Sequence, residues 1–311
     1  MPLSLIFCGT PPFAVPTLEK LVTAGHRVHL VVTQPDRPKG RGLELVPSPI
    51  KQSALRLSLP ITQPDRIKTN DEFRAQLTAL QPDAIIVVGY GRIIPQWMLA
   101  LPPLGNINLH ASLLPKYRGA APIQWAIANG ETVTGNTTMR IDAGLDTGDI
   151  LLQHELHITA DDTSETLAPR LAAMGADLVV ETLSGLQSGT ITARKQDDSQ
   201  SSLAPILKKE DGQVDFSRTA SDIFNRIRAF QPWPGAHTKF RGKNLQILKA
   251  LPTNDVIPPS ELRVHANRLL VGSAHNTSLD LLEIQLEGKK RTTAHDFIQG
   301  YRPKPSENLG A

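Results

Sequence analysis

The sequence of 311 residues predicts an α/β protein in which a doubly wound, mostly parallel open sheet is followed by a small β-barrel. In the first half, apolar strand-like runs alternate with helical patterns, which is the βαβ order of a parallel sheet. In the last third, short strand-like runs are separated by Gly, Asn and Pro, as in a small barrel. The length also favours two domains, because one domain typically takes about 150 residues.

The pattern places strands at 3–8, 28–33 and 83–89, with helices between them at 13–23, 48–57 and 70–80. The run at 83–89, DAIIVVG, is almost continuous Ile and Val, which is typical of a strand covered on both faces. Such Rossmann-like sheets bind ligands at the carboxyl ends of their strands. We therefore expect the segments after residues 8 and 88, and the segment 108–112, to form one crevice.

The domain organisation follows from a long helix and a polar stretch. A helix over 163–186 begins with capping and acidic residues. The stretch 190–205 is polar and poor in helix formers. We predict a catalytic domain at 1–189, a linker at 190–205 and an OB-like β-barrel domain at 206–311. The second domain has a helical pattern at 220–230 and strand patterns at 246–250, 268–271 and 279–285.

Composition excludes several classes of protein. The chain is 40% hydrophobic and 20% charged and has no apolar run of 18 residues, so no membrane-spanning segment is expected. The first residues lack a basic start, which predicts a cytoplasmic protein without a secretory signal. Cys8 is the one cysteine, which excludes an internal disulfide and disfavours a cysteine metal site. Gly9 follows the first strand, but the later glycines of a dinucleotide fingerprint are missing.

The charge is unevenly distributed along the chain. Residues 1–205 hold 17 Lys and Arg against 19 Asp and Glu, whereas residues 206–311 hold 16 against 11. The C-terminal part therefore carries a net charge of +5 and the rest −2. This surplus agrees with a polyanionic partner and equally with an ordinary solvated surface.

An amide and an imidazole stand two residues apart where an apolar strand ends. Asn108 and His110 point to the same face of that strand, because side chains alternate along it. An amide and an imidazole aimed at one spot can stabilise a carbonyl oxygen as it becomes negative, which indicates acyl-group chemistry. Asp146, on a glycine-rich loop downstream, can orient the imidazole.

The residues around this pair resemble the folate-dependent formyltransferase family. The similarity lies in Asn108-x-His110, in SLLPKYRGAAP at 112–122 and in DAGLDTG at 142–148. It implies catalytic roles for Asn108, His110 and Asp146, with 10-formyltetrahydrofolate as the formyl-donating co-substrate and with neither a tightly bound cofactor nor a metal. It also implies a folate site made by Val87, Val88, Arg92, Ile94, Ser112, Leu113, Leu114, Pro115 and Asp142.

The acceptor is indicated by a basic, Gly- and Pro-rich loop at 35–47. Arg37, Lys39 and Arg41 give it three cations within five residues, which can bind RNA phosphates. The loop resembles the insertion by which some family members hold the acceptor arm of a tRNA. The resemblance thus implies formylation of the α-amine of methionine on initiator tRNA, for translation initiation. Further backbone contacts are expected from three lysines of the second domain, Lys208, Lys209 and Lys243.

We expect a monomer that binds RNA and folate but neither DNA nor a membrane. Two alternatives remain open from the sequence: formyl transfer to a small amine such as an amino sugar nucleotide, and a non-catalytic RNA-binding protein. The first needs no basic loop, and the second needs no intact Asn108, His110 and Asp146. Trp233, which lies between two prolines, is expected to pack in the fold rather than to stack on a base.

Overall fold

A computed structural model describes residues 1–39 and 44–310. The chain forms two compact units. The first comprises Met1–Gly119, Val133–His157 and Ala168–Leu203, and the second comprises Ala120–Thr132, Ile158–Leu167 and the chain from Ala204 onward. Residues 190–203 of the predicted linker thus belong to the first unit, and two short internal segments belong to the second. The boundaries proposed from the sequence stay a prediction.

The first unit is built on a sheet of seven strands. The strands in the first half of the chain are β1 (Ser4–Gly9), β2 (Arg27–Val32), β3 (Arg37–Lys39), β4 (Glu44–Val46), β5 (Ile61–Thr62), β6 (Ala84–Val88), β7 (Asn106–His110), β8 (Val133–Arg140) and β9 (Ile150–His157). The sheet order is β5-β2-β1-β6-β7-β8-β9, and β3 and β4 form a separate antiparallel hairpin. The five strands β5, β2, β1, β6 and β7 are parallel to one another, whereas β8 pairs antiparallel with β7 and β9 pairs antiparallel with β8. The predicted fold class is confirmed.

The helices of this part of the chain are α1 (Val15–Thr23), α2 (Pro49–Arg56), α3 (Asp71–Ala79), α4 (Gln96–Leu99), α5 (Pro122–Ala128) and α6 (Ser164–Ser188). A 3-10 turn at Pro12–Ala14 precedes α1. Ser48 and Asn70 begin α2 and α3 by accepting a backbone N–H with their side chains, which pairs donors that a helix start leaves open.

The two central strands are buried on both faces, as their Ile and Val runs predict. In β6, Ile86 packs in the core layer that contains α1 and α6, while Ile85 and Val87 pack in the layer that contains α3. Cys8 is fully buried in β1, and burial raises the pKa of its thiol. With both faces covered, the strand ends are where side chains of the sheet reach solvent.

The antiparallel strands β8 and β9 were not expected, and the polar sequence of β8 explains why. Its residues Asn136, Thr137 and Thr138 are fully buried. Asn136 donates to the Leu171 carbonyl oxygen at 2.7 Å, and Thr137 donates to that of Ser112 at 2.6 Å. These bonds offset the cost of burying the hydroxyl and amide donors, although Asn136 Oδ1 has no partner among the described residues. A strand can therefore be internal without being apolar.

The second unit is β-rich, as predicted. Besides α5 and the start of α6, its elements are a 3-10 turn at Lys209–Gly212, α7 (Ala220–Ala229), β10 (Ala236–Phe240), β11 (Lys243–Thr253), β12 (Leu262–His265), β13 (Arg268–Ser273), β14 (Thr277–Leu286), β15 (Thr292–Thr293) and α8 (Ala294–Tyr301). The antiparallel sheet has the order β10-β11-β14-β13-β12, and β15 pairs with β14. Phe240 and Phe297 lie in its core with ring centroids 5.1 Å apart. Among the described residues, no helix has the length and apolar content that crossing a bilayer requires.

Candidate active site

The site begins where β7 ends beside β6. Val87 of β6 is in register with Asn108 of β7, and His110 follows on the same face. Asn108 is partly buried, and within the described part of the chain its side-chain amide has no hydrogen-bond partner. His110 is 6% exposed. An amide that can bond a ligand therefore stands beside a buried imidazole, at the carboxyl end of the parallel strands, where such folds bind ligands.

Both ring nitrogens of His110 face a protein oxygen. Nε2 lies 2.8 Å from the backbone oxygen of Tyr117, and Nδ1 lies 3.6 Å from Oδ2 of Asp146. A carbonyl oxygen only accepts, so Nε2 must carry the hydrogen of this bond. Nδ1 is then either the lone pair of a neutral ring or a second N–H that points towards the carboxylate. In this arrangement the Nε2 hydrogen of His110 is engaged by Tyr117, and donation by His110 to a substrate oxyanion stays a prediction.

Asp146 is held in an uncommon backbone conformation. Its φ is +53°, in the left-handed region that costs a residue with a β-carbon about 1–2 kcal/mol. Its Oδ2 accepts the backbone N–H of Gly119 at 2.8 Å, and its side chain is 17% exposed. The loop thus presents one carboxylate oxygen to both Gly119 and His110 while the residue stays partly open to solvent.

The loop at 112–119 is held by hydrogen bonds within the loop and by bonds from β8 and β9. Ser112 is fully buried, and its hydroxyl donates to the Lys116 carbonyl oxygen at 2.6 Å. The backbone N–H of Leu114 donates to Thr137 Oγ1 at 3.1 Å, and the Leu114 carbonyl oxygen accepts from the Gln153 amide at 2.9 Å. These bonds set the position of the Tyr117 carbonyl that His110 uses.

The loop at 142–148 is closed by Asp142. This carboxylate accepts the Thr147 hydroxyl at 2.8 and 2.9 Å and the Gly144 backbone N–H at 3.0 Å. A β-carbon at position 148 would collide with the carbonyl oxygen of Arg140, which explains the glycine there. These hydrogen bonds of Asp142 all lie within the loop that carries Asp146, and they hold that loop in shape.

An open pocket of about 450 Å³ lies at the ends of β1, β2 and β6. The carbonyl oxygen of Tyr90 accepts from the Gln34 amide at 3.0 Å and from Thr10 Oγ1 at 3.3 Å. Arg92 donates to Gln34 Oε1 at 3.0 Å and also to the Asp65 carbonyl oxygen. The pocket is lined by Thr10, Pro11, Gln34, Arg37, Gly89, Tyr90, Gly91 and Arg92.

Two of the lining residues were expected at different ligands: Arg92 at the folate and Arg37 at the RNA. Thr10 and Gln34 were not singled out from the sequence. The available signal was their position directly after the first two strands, where a doubly wound sheet binds ligands. Beside the pocket, Lys51 and Gln63 donate to Asp36, and these bonds lower the pKa of its carboxyl.

The other residues expected at the folate differ in exposure. Those that are buried are Val87, Val88, Ile94, Ser112 and Leu114, whereas Arg92, Leu113 and Pro115 are partly buried and Asp142 is exposed. The buried ones can contribute apolar walls and backbone groups rather than protruding side chains. The sequence did not indicate that Ser112 would bond within the loop or that the Leu114 backbone would bond to β8 and β9.

The residues expected at RNA lie on the β3–β4 hairpin and in the second unit. Arg37 is exposed on β3, Lys39 ends that strand, and Arg41 lies outside the described residues. Three lysines of the second unit are exposed and, as far as the structure describes the chain, have no ion-pair partner: Lys208, Lys209 and Lys243. By contrast, Arg241 is held by Glu307 at 2.6 Å and Arg291 pairs with Glu283. Trp233 is 55% exposed, so the expectation that it packs in the fold is wrong.

Comparison with known proteins gives a family for both parts of the chain. The formyl transferase profile matches residues 3–183, and the profile of the formyl transferase C-terminal domain matches residues 206–302. The methionyl-tRNA formyltransferase of Koribacter versatilis is 67% identical over 98% of both chains. That of Acidobacterium capsulatum is 60% identical over 99% of this chain and 100% of its own.

Solved structures share the fold at lower identity. An N-formyltransferase from Helicobacter canadensis, solved with folinic acid and dTDP-3-aminofucose, superposes with a TM-score of 0.65 at 20% identity. The match covers 90% of this chain and 98% of that one. HypX from Aquifex aeolicus, solved with tetrahydrofolic acid, gives 0.63 at 16% identity over 99% of this chain and 49% of its own. Because the full-length relatives agree at high identity, the chain belongs to the methionyl-tRNA formyltransferase family.

Proposed function

We propose that this protein transfers the formyl group of 10-formyltetrahydrofolate to the α-amine of methionyl initiator tRNA, giving the formylmethionyl-tRNA used to start translation. The observation that carries the proposal is the amide of Asn108, which has no partner among the described residues, beside the His110–Asp146 pair at the end of β7. The relatives at 60–67% identity, which carry that activity in their names, support the choice of acceptor.

Asn108 is the donor for the developing oxyanion. When the amine attacks the formyl carbon, the carbonyl oxygen becomes negative, and a positioned N–H donor there is worth about 2.7–4 kcal/mol. In the part of the chain that the structure describes, the Asn108 amide has no partner and can make this bond, whereas the Nε2 hydrogen of His110 is donated to the Tyr117 carbonyl oxygen. We therefore assign stabilisation of the oxyanion to Asn108 and transfer of the proton to His110 and Asp146.

Asp146 and His110 handle the proton that the reaction moves. The attacking amine loses one proton as the C–N bond forms, and the folate nitrogen gains one as its bond to the formyl carbon breaks. The Asp146 carboxylate is partly exposed and can accept that proton directly or through a water, as general bases do. When its Nδ1 carries a hydrogen, His110, 3.6 Å away, can stabilise the charge on the carboxylate.

The folate is proposed to lie along the chain that leaves β6 and along the 112–115 loop. The glycines at 89 and 91 both have positive φ, so the backbone can approach a flat ring closely there. Val87, Val88 and Ile94 supply an apolar wall. Of the loop residues, Leu113 and Pro115 are exposed enough to touch a ligand, and Ser112, Leu114 and Asp142 hold the loops in shape.

The RNA is proposed to contact the β3–β4 hairpin and the lysines of the second unit. Arg37 lines the pocket at the end of β1 and is exposed, which suits a phosphate of the acceptor end. Lys39, which ends β3, and Arg41, which lies outside the described residues, are proposed to add phosphate contacts, and Lys208, Lys209 and Lys243 to add backbone contacts. We further propose a catalytic domain at 1–189, a linker at 190–205, an RNA-binding domain at 206–311 and a cytoplasmic monomer.

The test is incubation of the purified protein with formyl-labelled 10-formyltetrahydrofolate and charged initiator tRNA. We expect label that is ester-linked to the RNA and released by mild base as formylmethionine. Uncharged initiator tRNA and charged elongator tRNA are the matched controls. Label on the elongator alone would refute the acceptor, and label on an amino sugar nucleotide without RNA would favour the small-amine alternative. Binding of tRNA without folate binding would favour a non-catalytic protein.

A further inference from the structure

The segment 194–202, which we name the strap, lies against the loops that hold the candidate site. Arg194 and Ile150 exchange two backbone hydrogen bonds of 2.8 Å. At the other end, Ser202 accepts the backbone N–H of Tyr117 with its hydroxyl at 2.9 Å and that of Arg118 with its carbonyl oxygen at 2.8 Å. A polar segment that the sequence assigns to a linker is thus bonded to the loop whose Tyr117 carbonyl orients His110.

Gln196 is the buried residue of the strap, with 6% exposure. Its Nε2 donates to the carbonyl oxygens of Asp146 at 2.9 Å and of Gly148 at 2.7 Å. Its Oε1 accepts from Arg118 Nε at 3.0 Å and from an Arg118 terminal nitrogen at 2.8 Å. Arg118 is itself buried and also donates to Asp198 at 2.8 Å. Every hydrogen-bonding group of the Gln196 amide is therefore used.

The two acceptors of Gln196 lie on the Asp146 loop. Asp146 has a φ of +53°, so its backbone needs external bonds to stay in this conformation. The charged Arg118 on one side of the amide strengthens the bonds that the amide donates on the other side. A shift of the Asp146 backbone would move Oδ2 away from both Gly119 and His110.

We propose that Gln196 is a positioning residue, which fixes the Asp146 loop so that its carboxylate faces His110 Nδ1. The inference rests on the proposed function, because the readout of rate is formyl transfer. Gln196 touches neither the reacting atoms nor, in the described structure, the His110 ring, so its effect on the reaction passes through Asp146.

The test is Gln196→Glu, which keeps the shape of the side chain. A carboxylate still accepts from Arg118, but its second oxygen cannot donate to the two carbonyls and is repelled by them. The matched control is Gln200→Glu, because Gln200 lies in the same strap, is exposed and donates one bond of 2.9 Å to Asp197. Gln196→Asn, which is shorter by one methylene group, is the milder variant if the glutamate does not fold.

We expect Gln196→Glu to lower kcat about 10- to 100-fold, since displacement of a catalytic group by about 1 Å has this effect. The KM values for folate and for tRNA should stay within about twofold, and Gln200→Glu should retain kcat. A readout independent of turnover is the ¹⁵N chemical shift of His110 Nδ1, identified by its loss in His110→Asn. It should change in Gln196→Glu at fixed pH and not in Gln200→Glu.

A folded Gln196→Glu or Gln196→Asn protein with kcat and the His110 shift as in the wild type would overturn the inference. So would an equal loss of kcat and of both substrate affinities together with a lowered unfolding temperature, since that result indicates general disruption of the unit. If the wild-type protein transfers no formyl group, the proposed function fails, and the His110 shift still tests whether Gln196 positions Asp146.

Discussion

Replacement of Asp146 by Asn separates the charge of this residue from its shape. Asn is isosteric, and its amide oxygen can still accept the Gly119 N–H that Asp146 Oδ2 accepts at 2.8 Å. It carries no negative charge beside His110 Nδ1 and cannot take a proton from the attacking amine. The variant should therefore fold and bind its substrates but turn them over slowly.

The expected size of the effect follows from the two losses. A positioned general base contributes about 10²–10⁴ in rate, which is about 2.7–5.4 kcal/mol of transition-state free energy. The ion-pair distance of 3.6 Å to His110 exceeds that of a hydrogen bond, so loss of the charge should add less than loss of the base. We expect kcat to fall by about two to four orders of magnitude and both KM values to change by less than about threefold.

The assay is single-turnover formyl transfer at saturating folate and methionyl-tRNA, so that product release does not hide the chemical step. Asp161→Asn is the matched control, because Asp161 is exposed and has no hydrogen bond among residues 1–39 and 44–310. Circular dichroism and thermal unfolding check that both variants fold. If folded Asp146→Asn keeps more than about a tenth of the wild-type rate, the carboxylate is not the base.

Three further outcomes are expected. Asn108→Ala should lower kcat about 10²–10³-fold in the same assay, and near-normal turnover would remove it as the oxyanion donor. Arg37→Ala should raise KM for tRNA while KM for folate stays constant. The slope of the logarithm of the tRNA binding constant against the logarithm of the salt concentration should fall in magnitude by about one, as for the loss of one phosphate contact. Equal effects on both substrates would contradict the phosphate role. Glu307→Gln should lower the unfolding free energy at pH 7 by about 0.5–1.5 kcal/mol, because it breaks the bidentate contact with Arg241. Arg241 lowers the pKa of Glu307 from its ordinary value of 4.5, so this contribution is present above that pH and lost as the pH falls through the lowered pKa. Urea unfolding of both proteins from pH 7 to pH 3 checks this, and a difference that does not shrink as the pH falls below 4.5 would contradict it.

The parallel part of the sheet was predictable because burial on both faces leaves a strong signal. Strands β1 and β6 carry continuous apolar runs, and their observed bounds differ from the predicted ones by about one residue at each end. Strand β8 was missed for the opposite reason. Its buried threonines and Asn136 are stabilised by distant hydrogen-bond partners such as Leu171, which no local pattern reveals.

The candidate site was predictable in its residues and not in its bonds. The spacing of Asn108 and His110 on one strand places them together whatever the rest of the fold does. The partner of His110 Nε2 is a backbone carbonyl, at Tyr117, and any residue type could supply it. The sequence therefore predicts two oxyanion donors, and only the structure shows that Tyr117 engages the Nε2 of one of them.

Strand periodicity and motif spacing are local properties of the chain, so the amino-acid sequence was enough to predict the fold class, the three polar residues of the candidate site and the resemblance that names their chemistry. The hydrogen bonds that those residues make depend on the tertiary structure. Gln196 is the clearest case. Its polar stretch predicts a linker, yet Gln196 is buried between Arg118 and the carbonyls of Asp146 and Gly148. Contacts across such distances in the chain depend on how the loops close, and no pattern within the stretch encodes them.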